Sequence, residues 1–184
     1  MVLTKTPICN FGEKPHSFNL KGVDNNFYKL EDCIGKNGTL IMFICNHCPY
    51  VKAVIKDIVN DASSLKSQGV ETVAIMSNDT KNYPDDSFDK MVEFSKVNKF
   101  NFPYVIDETQ IVAKDFMALC TPDFFGFDAD LKLQYRGRLN SAGKNQTSSE
   151  TKNDLVNAML SISKNGIRPE EQFPSIGCSI KWKK

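Results

Sequence analysis

The sequence predicts an α/β domain with a mixed central sheet flanked by helices. Strand-like apolar runs alternate with segments of helical spacing, and the chain then closes on an alternating hairpin. No internal repeat and no second core break this pattern, and 184 residues suit one compact domain. In this reading residues 1–167 form the domain and residues 168–184 a C-terminal tail packed on or near it.

Residues 18–20 and 27–30 read as two short strands, an N-terminal hairpin extension turning at Asp24-Asn25-Asn26. After the loop 35–38, residues 39–44 form a continuous apolar run, the pattern of a central strand buried on both faces. Val51, Val54, Ile55, Ile58, Ala62 and Leu65 then recur at helical spacing, with Gly69 as a natural stop. Residues 70–76 are the next buried strand, 77–86 a polar loop, and 87–100 a helix with Phe88, Met91 and Val92 inward. Residues 103–106 read as a strand, followed by a helix carrying Ile111, Val112 and Phe116. Residues 124–127 and 131–135 alternate around Asp128-Ala129-Asp130 as a hairpin. A Ser/Asn/Gly-rich loop spans 141–149, and Leu155, Ala158, Met159 and Ile162 mark a last helix stopping at Asn165-Gly166. From Arg168 onward there is no periodicity.

Composition narrows the partners. Lys plus Arg number 23 and Asp plus Glu 22, a balance that asks for neither nucleic acid nor an acidic membrane. The Lys-rich spots at 96–99 and 181–184 read as solvated surface. No stretch approaches the roughly 20 apolar residues of a membrane span, and residues 1–6 lack the apolar run of a secretory signal. A soluble, cytoplasmic protein is expected.

Cysteine usage carries the chemistry. Six cysteines are too sparse for a disulfide-stapled scaffold, and Cys9, Cys33, Cys120 and Cys178 each stand alone. Cys45-Asn46-His47-Cys48 holds the one close pair, at the junction of a buried strand with a helix. Reactive groups of open α/β sheets gather at that end of the strands. The thiolate is the nucleophile of disulfide exchange, and a free cysteine near pKa 8.5 is mostly protonated at neutral pH. Cys45 is expected at the helix start, where unpaired N–H groups and the helix dipole favour the anion. Cys48 would lie about one turn further on, placed to resolve a mixed disulfide. His47 is a candidate cation beside the sulfur, or else a residue pointing to solvent. Pro49 suits the first helical turn, where its missing N–H costs little. A structural zinc site needs four ligands, and His16 is the only other histidine.

Lys14-Pro15-His16-Ser17-Phe18-Asn19-Leu20, the following hairpin, and Thr39 through Pro49 resemble thioredoxin-like proteins, in the alkyl hydroperoxide reductase/thiol-specific antioxidant branch. Thr121-Pro122-Asp123-Phe124-Phe125 resembles that superfamily's second landmark, and 174–182 the ending of a peroxiredoxin-like group. The resemblance covers residues 10–163 and implies a thioredoxin-like fold. It implies that Cys45 is the exposed attacking cysteine and Cys48 the buried resolving one. It further implies a cis-proline at Pro122, with Thr121 beside it binding an extended substrate segment. Three features depart from the pattern: Ile44 replaces a tryptophan, Thr39 replaces a buried carboxylate, and no Pro-x-x-x-Thr/Ser-x-x-Cys frame fits either cysteine.

Cys120, next to Thr121-Pro122, and Cys178, in the tail near Lys181, are candidate additional redox thiols, with static packing as the alternative for each. Cys9, Cys33 and His16 read as structural, and Arg136 and Arg138 as surface charges, with binding of an anionic substrate group as the alternative. The expected activity is that of a thiol–disulfide oxidoreductase needing no cofactor and no metal. Its substrate would be a protein or small-molecule disulfide, and its electrons would come from a thioredoxin- or glutathione-type donor. The alternatives are a thiol peroxidase acting on a peroxide, with antioxidant activity, and a redox-inert or zinc-binding interaction module.

Overall fold

The computed structural model describes residues 3–7 and 10–184, so Cys9 lies outside the described residues. The elements run β1 (Leu3–Lys5), β2 (Asn19–Gly22), β3 (Phe27–Lys29), β4 (Gly38–Phe43), α1 (Pro49–Lys66), β5 (Val70–Met76), α2 (Phe88–Val97) and β6 (Tyr104–Ile106). They continue with α3 (Ile111–Asp115), β7 (Cys120–Thr121), β8 (Asp123–Phe127), β9 (Leu133–Gly137), α4 (Asp154–Asn165) and β10 (Ile176–Ser179).

Seven strands form the main sheet in the order β3-β2-β6-β5-β4-β8-β9. β4, β5 and β6 are parallel neighbours, and the flanking pairs are antiparallel, which makes the sheet mixed as expected. β4 is buried along its whole length because both faces are covered. Leu40 and Met42 point into a core shared with α1 and α4, whereas Ile41 and Phe43 point into a second core with Phe116 of the α3 end. Alternation at period two thus divides one apolar run between two cores.

Three sequence expectations change. The second hairpin strand starts at Leu133 rather than at 131, because Leu131 takes a left-handed φ of 59° inside the turn. Arg136, expected at the surface, is 5% exposed and ion-paired at 2.9 Å with fully buried Asp123. The tail, expected to be irregular, contributes β10, which sits between β1 and β7 in a separate three-stranded sheet. Gly177 makes this possible: a Cβ there would lie 2.0 Å from the Thr121 carbonyl oxygen, so only glycine admits such a close backbone approach.

Candidate active site

The carboxyl ends of β4, β5 and β6 point to one edge of the molecule, and their following loops meet there. β4 ends at Phe43, which pairs antiparallel with Asp123 at the start of β8. That register brings the residues just after Phe43 opposite those just before Asp123. Cys45 and Cys48 therefore meet Thr121-Pro122, although more than 70 residues separate them in the chain. Cys45 Sγ lies 3.3 Å from Thr121 Oγ1, and Cys48 Sγ donates to the Thr121 carbonyl at 3.2 Å. The Thr121–Pro122 peptide is cis.

Cys45 is not at the helix start. The helix begins with Pro49 at its first position, and Cys48 is its N-cap. Cys45 precedes it on the connection from β4, and both cysteines are buried, at 1% and 0% exposure. The physical reason is Pro49: its fixed φ and absent N–H make it a first-turn residue, which puts Cys48 immediately outside the helix. The N-terminal donors thus lie at Cys48 rather than Cys45, and neither cysteine is exposed as Cys45 was expected to be.

The electrostatics follow that placement. The Cys48 thiol is drawn down to about 4, first by the hydrogen bond from Cys45. Burial opposes this, while the Cys178 thiol and the Val51 and Cys178 N–H groups assist it. The same Cys45–Cys48 hydrogen bond, with burial and the charge of Asp86, pushes Cys45 well up. Cys178 Sγ is 2.9 Å from Cys48 Sγ, and burial followed by that contact raises its thiol to about 12. Cys120 Sγ donates to the Pro122 carbonyl at 3.5 Å, and burial raises its thiol. The sulfur contacts of Cys48 thus go to Cys178 rather than to Cys120.

A buried carboxylate also stands at the site, supplied by the segment 77–86, which reads in the sequence as a polar loop. Asp86 ends a short 3-10 turn (Pro84–Asp86) and is 0% exposed. Its Oδ1 accepts the N–H groups of Asn46 at 2.8 Å and His47 at 3.2 Å. Its Oδ2 accepts from Asn78 Nδ2 at 2.8 Å and lies 2.5 Å from His47 Nδ1. Burial acts to raise Asp86, but the bonds from His47 and Asn78 outweigh it and hold the carboxyl below its ordinary range. In return the Asp86 bond raises His47. His47 stacks on Tyr83 at 5.8 Å, so it is held at the site rather than left in solvent. Asn46 accepts the Tyr104 hydroxyl at 2.9 Å, which ties the Cys45–Cys48 connection to β6. Nothing in local spacing links residue 86 to residue 47, so the sequence pattern carries no signal for this pair.

Among the described residues, Cys45, His47 and Asp86 place potential metal-ligand atoms within 4.8 Å of one another. They supply three ligands where a structural zinc site uses four, and two of the three are already bonded to each other.

Residues 11–136 match the model of the AhpC/TSA family. The chain belongs to that family. Among solved structures this AhpC/TSA protein is similar to an uncharacterized conserved protein from Geobacillus kaustophilus, at 43% identity and a TM-score of 0.94, over 100% of this chain and 97% of that one. It is also similar to the peroxidoxin BcpB of Mycobacterium tuberculosis, at 18% identity and TM-score 0.61, over 86% and 98% of the two chains. A secreted Mycobacterium tuberculosis disulfide oxidoreductase homologous to Escherichia coli DsbE aligns at 14% identity and TM-score 0.60, over 78% and 95%. The latter two show the fold alone, a thioredoxin-like one. No curated protein matches the chain in sequence. Family and fold agree: the AhpC/TSA protein has a thioredoxin-like fold. Among its described residues no helix is long and apolar enough to cross a membrane.

Proposed function

We infer that this protein is a thiol–disulfide oxidoreductase working through Cys48 and Cys45. The observation that carries this is the place of the Cys48 sulfur, at the N-cap of α1, beside the cis Thr121–Pro122 peptide and in contact with the Cys45 thiol, which draws it down. The Cys48 thiolate attacks one sulfur of a substrate disulfide. A Cys48–substrate bond forms, and the other substrate sulfur leaves as a thiolate that takes up a proton. Cys45 then gives up its proton and attacks Cys48 Sγ. The Cys45–Cys48 bond forms and the second substrate thiol departs, so two electrons have passed from the dithiol to the substrate. A thioredoxin- or glutathione-type thiol returns them. The roles of the two cysteines are thus the reverse of those the family resemblance implied.

His47, paired with Asp86 and within 4.8 Å of the Cys45 sulfur, supplies positive charge beside that sulfur when protonated. The Thr121 hydroxyl lies against the Cys45 sulfur, and its carbonyl accepts from Cys48 while Cys48 is a thiol. Membership of the AhpC/TSA family favours a second reading, attack of the Cys48 thiolate on a peroxide to give a sulfenic acid and an alcohol or water. Insulin-disulfide reduction and stopped-flow reaction with hydrogen peroxide, run on the wild type, Cys45→Ser and Cys48→Ser, separate the two. Insulin reduction lost in both variants, with slow peroxide reaction, supports the oxidoreductase. Fast peroxide consumption that needs Cys48 and survives Cys45→Ser replaces it with the peroxidase.

A further inference from the structure

We propose that β10 is a tethered substrate: Cys178 exchanges with Cys48, and an extended segment of a client polypeptide disulfide takes the place of β10 when the tail lifts. The proposal rests on the oxidoreductase reading and adds a third thiol and a substrate class to it. β10 runs antiparallel to β7, with Cys178 opposite Thr121 and Ser179 opposite Cys120. It therefore adds a strand to the short edge next to the cis-proline, the way an extended peptide is bound by main-chain pairing. At that register the Cys178 sulfur falls 2.9 Å from Cys48 Sγ. The fit one residue earlier, at Gly177, depends on the absence of a Cβ.

The tail is held by backbone hydrogen bonds together with the buried side chains of Cys178 and Ile180. Ile180 N–H donates to the Leu119 carbonyl at 3.1 Å, and Lys181 N–H to Asn78 Oδ1 at 2.8 Å. Ser175 Oγ donates to the Pro122 carbonyl at 2.7 Å. Beside β10 lies an apolar cavity of about 410 Å³, walled by Tyr50, Val54, Pro122, Leu139 and Ile176, which offers room for the side chains of a longer client. Main-chain recognition plus a glycine-sized gap selects an extended segment with a small residue just before its cysteine.

The exchange is balanced without any further oxidant. From the oxidised Cys45–Cys48 state, Cys178 loses its proton and attacks Cys48 Sγ. The Cys48–Cys178 bond forms, the Cys45–Cys48 bond breaks, and Cys45 leaves as the thiolate that takes up the proton.

The test uses the full-length protein. Reduced wild type, Cys45→Ser and Cys178→Ser are treated with oxidised glutathione, trapped with N-ethylmaleimide and mapped by peptide mass spectrometry. A Cys48–Cys178 bond in the wild type and in Cys45→Ser, and its replacement in Cys178→Ser by glutathione on Cys48 or by Cys45–Cys48, is the expected result. In parallel, reduction of the glutathione mixed disulfide of a peptide spanning residues 174–182 is timed against the same peptide with valine in place of its glycine. Gly177→Val in the protein, which forces β10 off Thr121, should speed reduction of the glycine peptide about tenfold by raising the open fraction. The valine peptide should lose that gain. If Gly177→Val does not fold, the disulfide map decides alone. Insulin reduction that depends on Cys48, with no Cys48–Cys178 bond in any variant, overturns the tethered substrate and leaves the oxidoreductase standing. No Cys48-dependent disulfide chemistry at all overturns both.

Discussion

Two kinds of group hold the Cys48 thiolate: the neighbouring thiols of Cys45 and then Cys178, and the backbone N–H groups of Val51 and Cys178. The first is the largest, so Cys45→Ala should move the Cys48 midpoint from about 4 toward the ordinary value near about 8.5. Thiolate absorbance at 240 nm, followed against pH, reads this directly, and an unchanged midpoint would remove Cys45 as the stabilising donor. The His47–Asp86 pair makes a second prediction, whose sign follows from its two shifts. His47 is raised, so its contribution to stability is full below the unfolded value near about 6.5 and fades as pH climbs through the folded one. Asp86 is lowered, so its contribution is full above about 3.9 and fades as pH falls through the folded value. The stability gap between wild type and Asp86→Asn should therefore be widest between about pH 4 and 6.5 and narrow on both sides. Urea unfolding across that range tests it; a gap independent of pH would mean that the two residues are not an ion pair.

At the scale of elements, what the sequence made legible was what repeats. β4, β5 and the long α1 follow from apolar spacing, and a helix starting at Pro49 follows from proline chemistry. Carried one residue back, the same proline chemistry places Cys48 rather than Cys45 at the helix N-terminus. What stayed hidden depends on contacts between distant segments: Asp86 beneath His47, β10 on β7, and Arg136 folded inward onto Asp123. A charged residue on an alternating strand reads as exposed unless its partner on the next strand is known, and here that partner is 13 positions away. Arg136 also donates to the Met117 carbonyl at 2.8 Å and lies over the Phe125 ring at 4.4 Å. Arg136→Met keeps the apolar bulk but leaves the fully buried Asp123 without its cation. The expected cost is about 3–5 kcal/mol. Chemical denaturation measures it, and a change below about 1 kcal/mol would show that Asp123 is neutral in the fold.

Over the whole molecule, the three-stranded sheet ties both ends of the chain to the reactive edge. β1 and β7 each pair with β10, and Thr6 and Ser175 extend the link through hydrogen bonds of 3.0 Å and 2.9 Å. β1 joins the described structure through β10, whereas β4 is clamped between two strands and two cores. Short strands of a small sheet, held by a few backbone bonds, open at lower free energy than a long strand between two cores, and they open as units. Native-state hydrogen exchange on the intact protein should therefore show the β1 and β10 amides exchanging with a common free energy, well below that of β4. Locking Cys48 to Cys178 should raise the protection of β10 and β1 together and leave β4 unchanged, because the new bond closes only the opening that frees the tail. Protection of β10 equal to that of β4 in the reduced protein would make the tail a fixed part of the fold. The edge at Thr121 would then stay closed to clients, and the protein's reactions would be confined to reagents small enough to reach Cys48 past a strand that does not move.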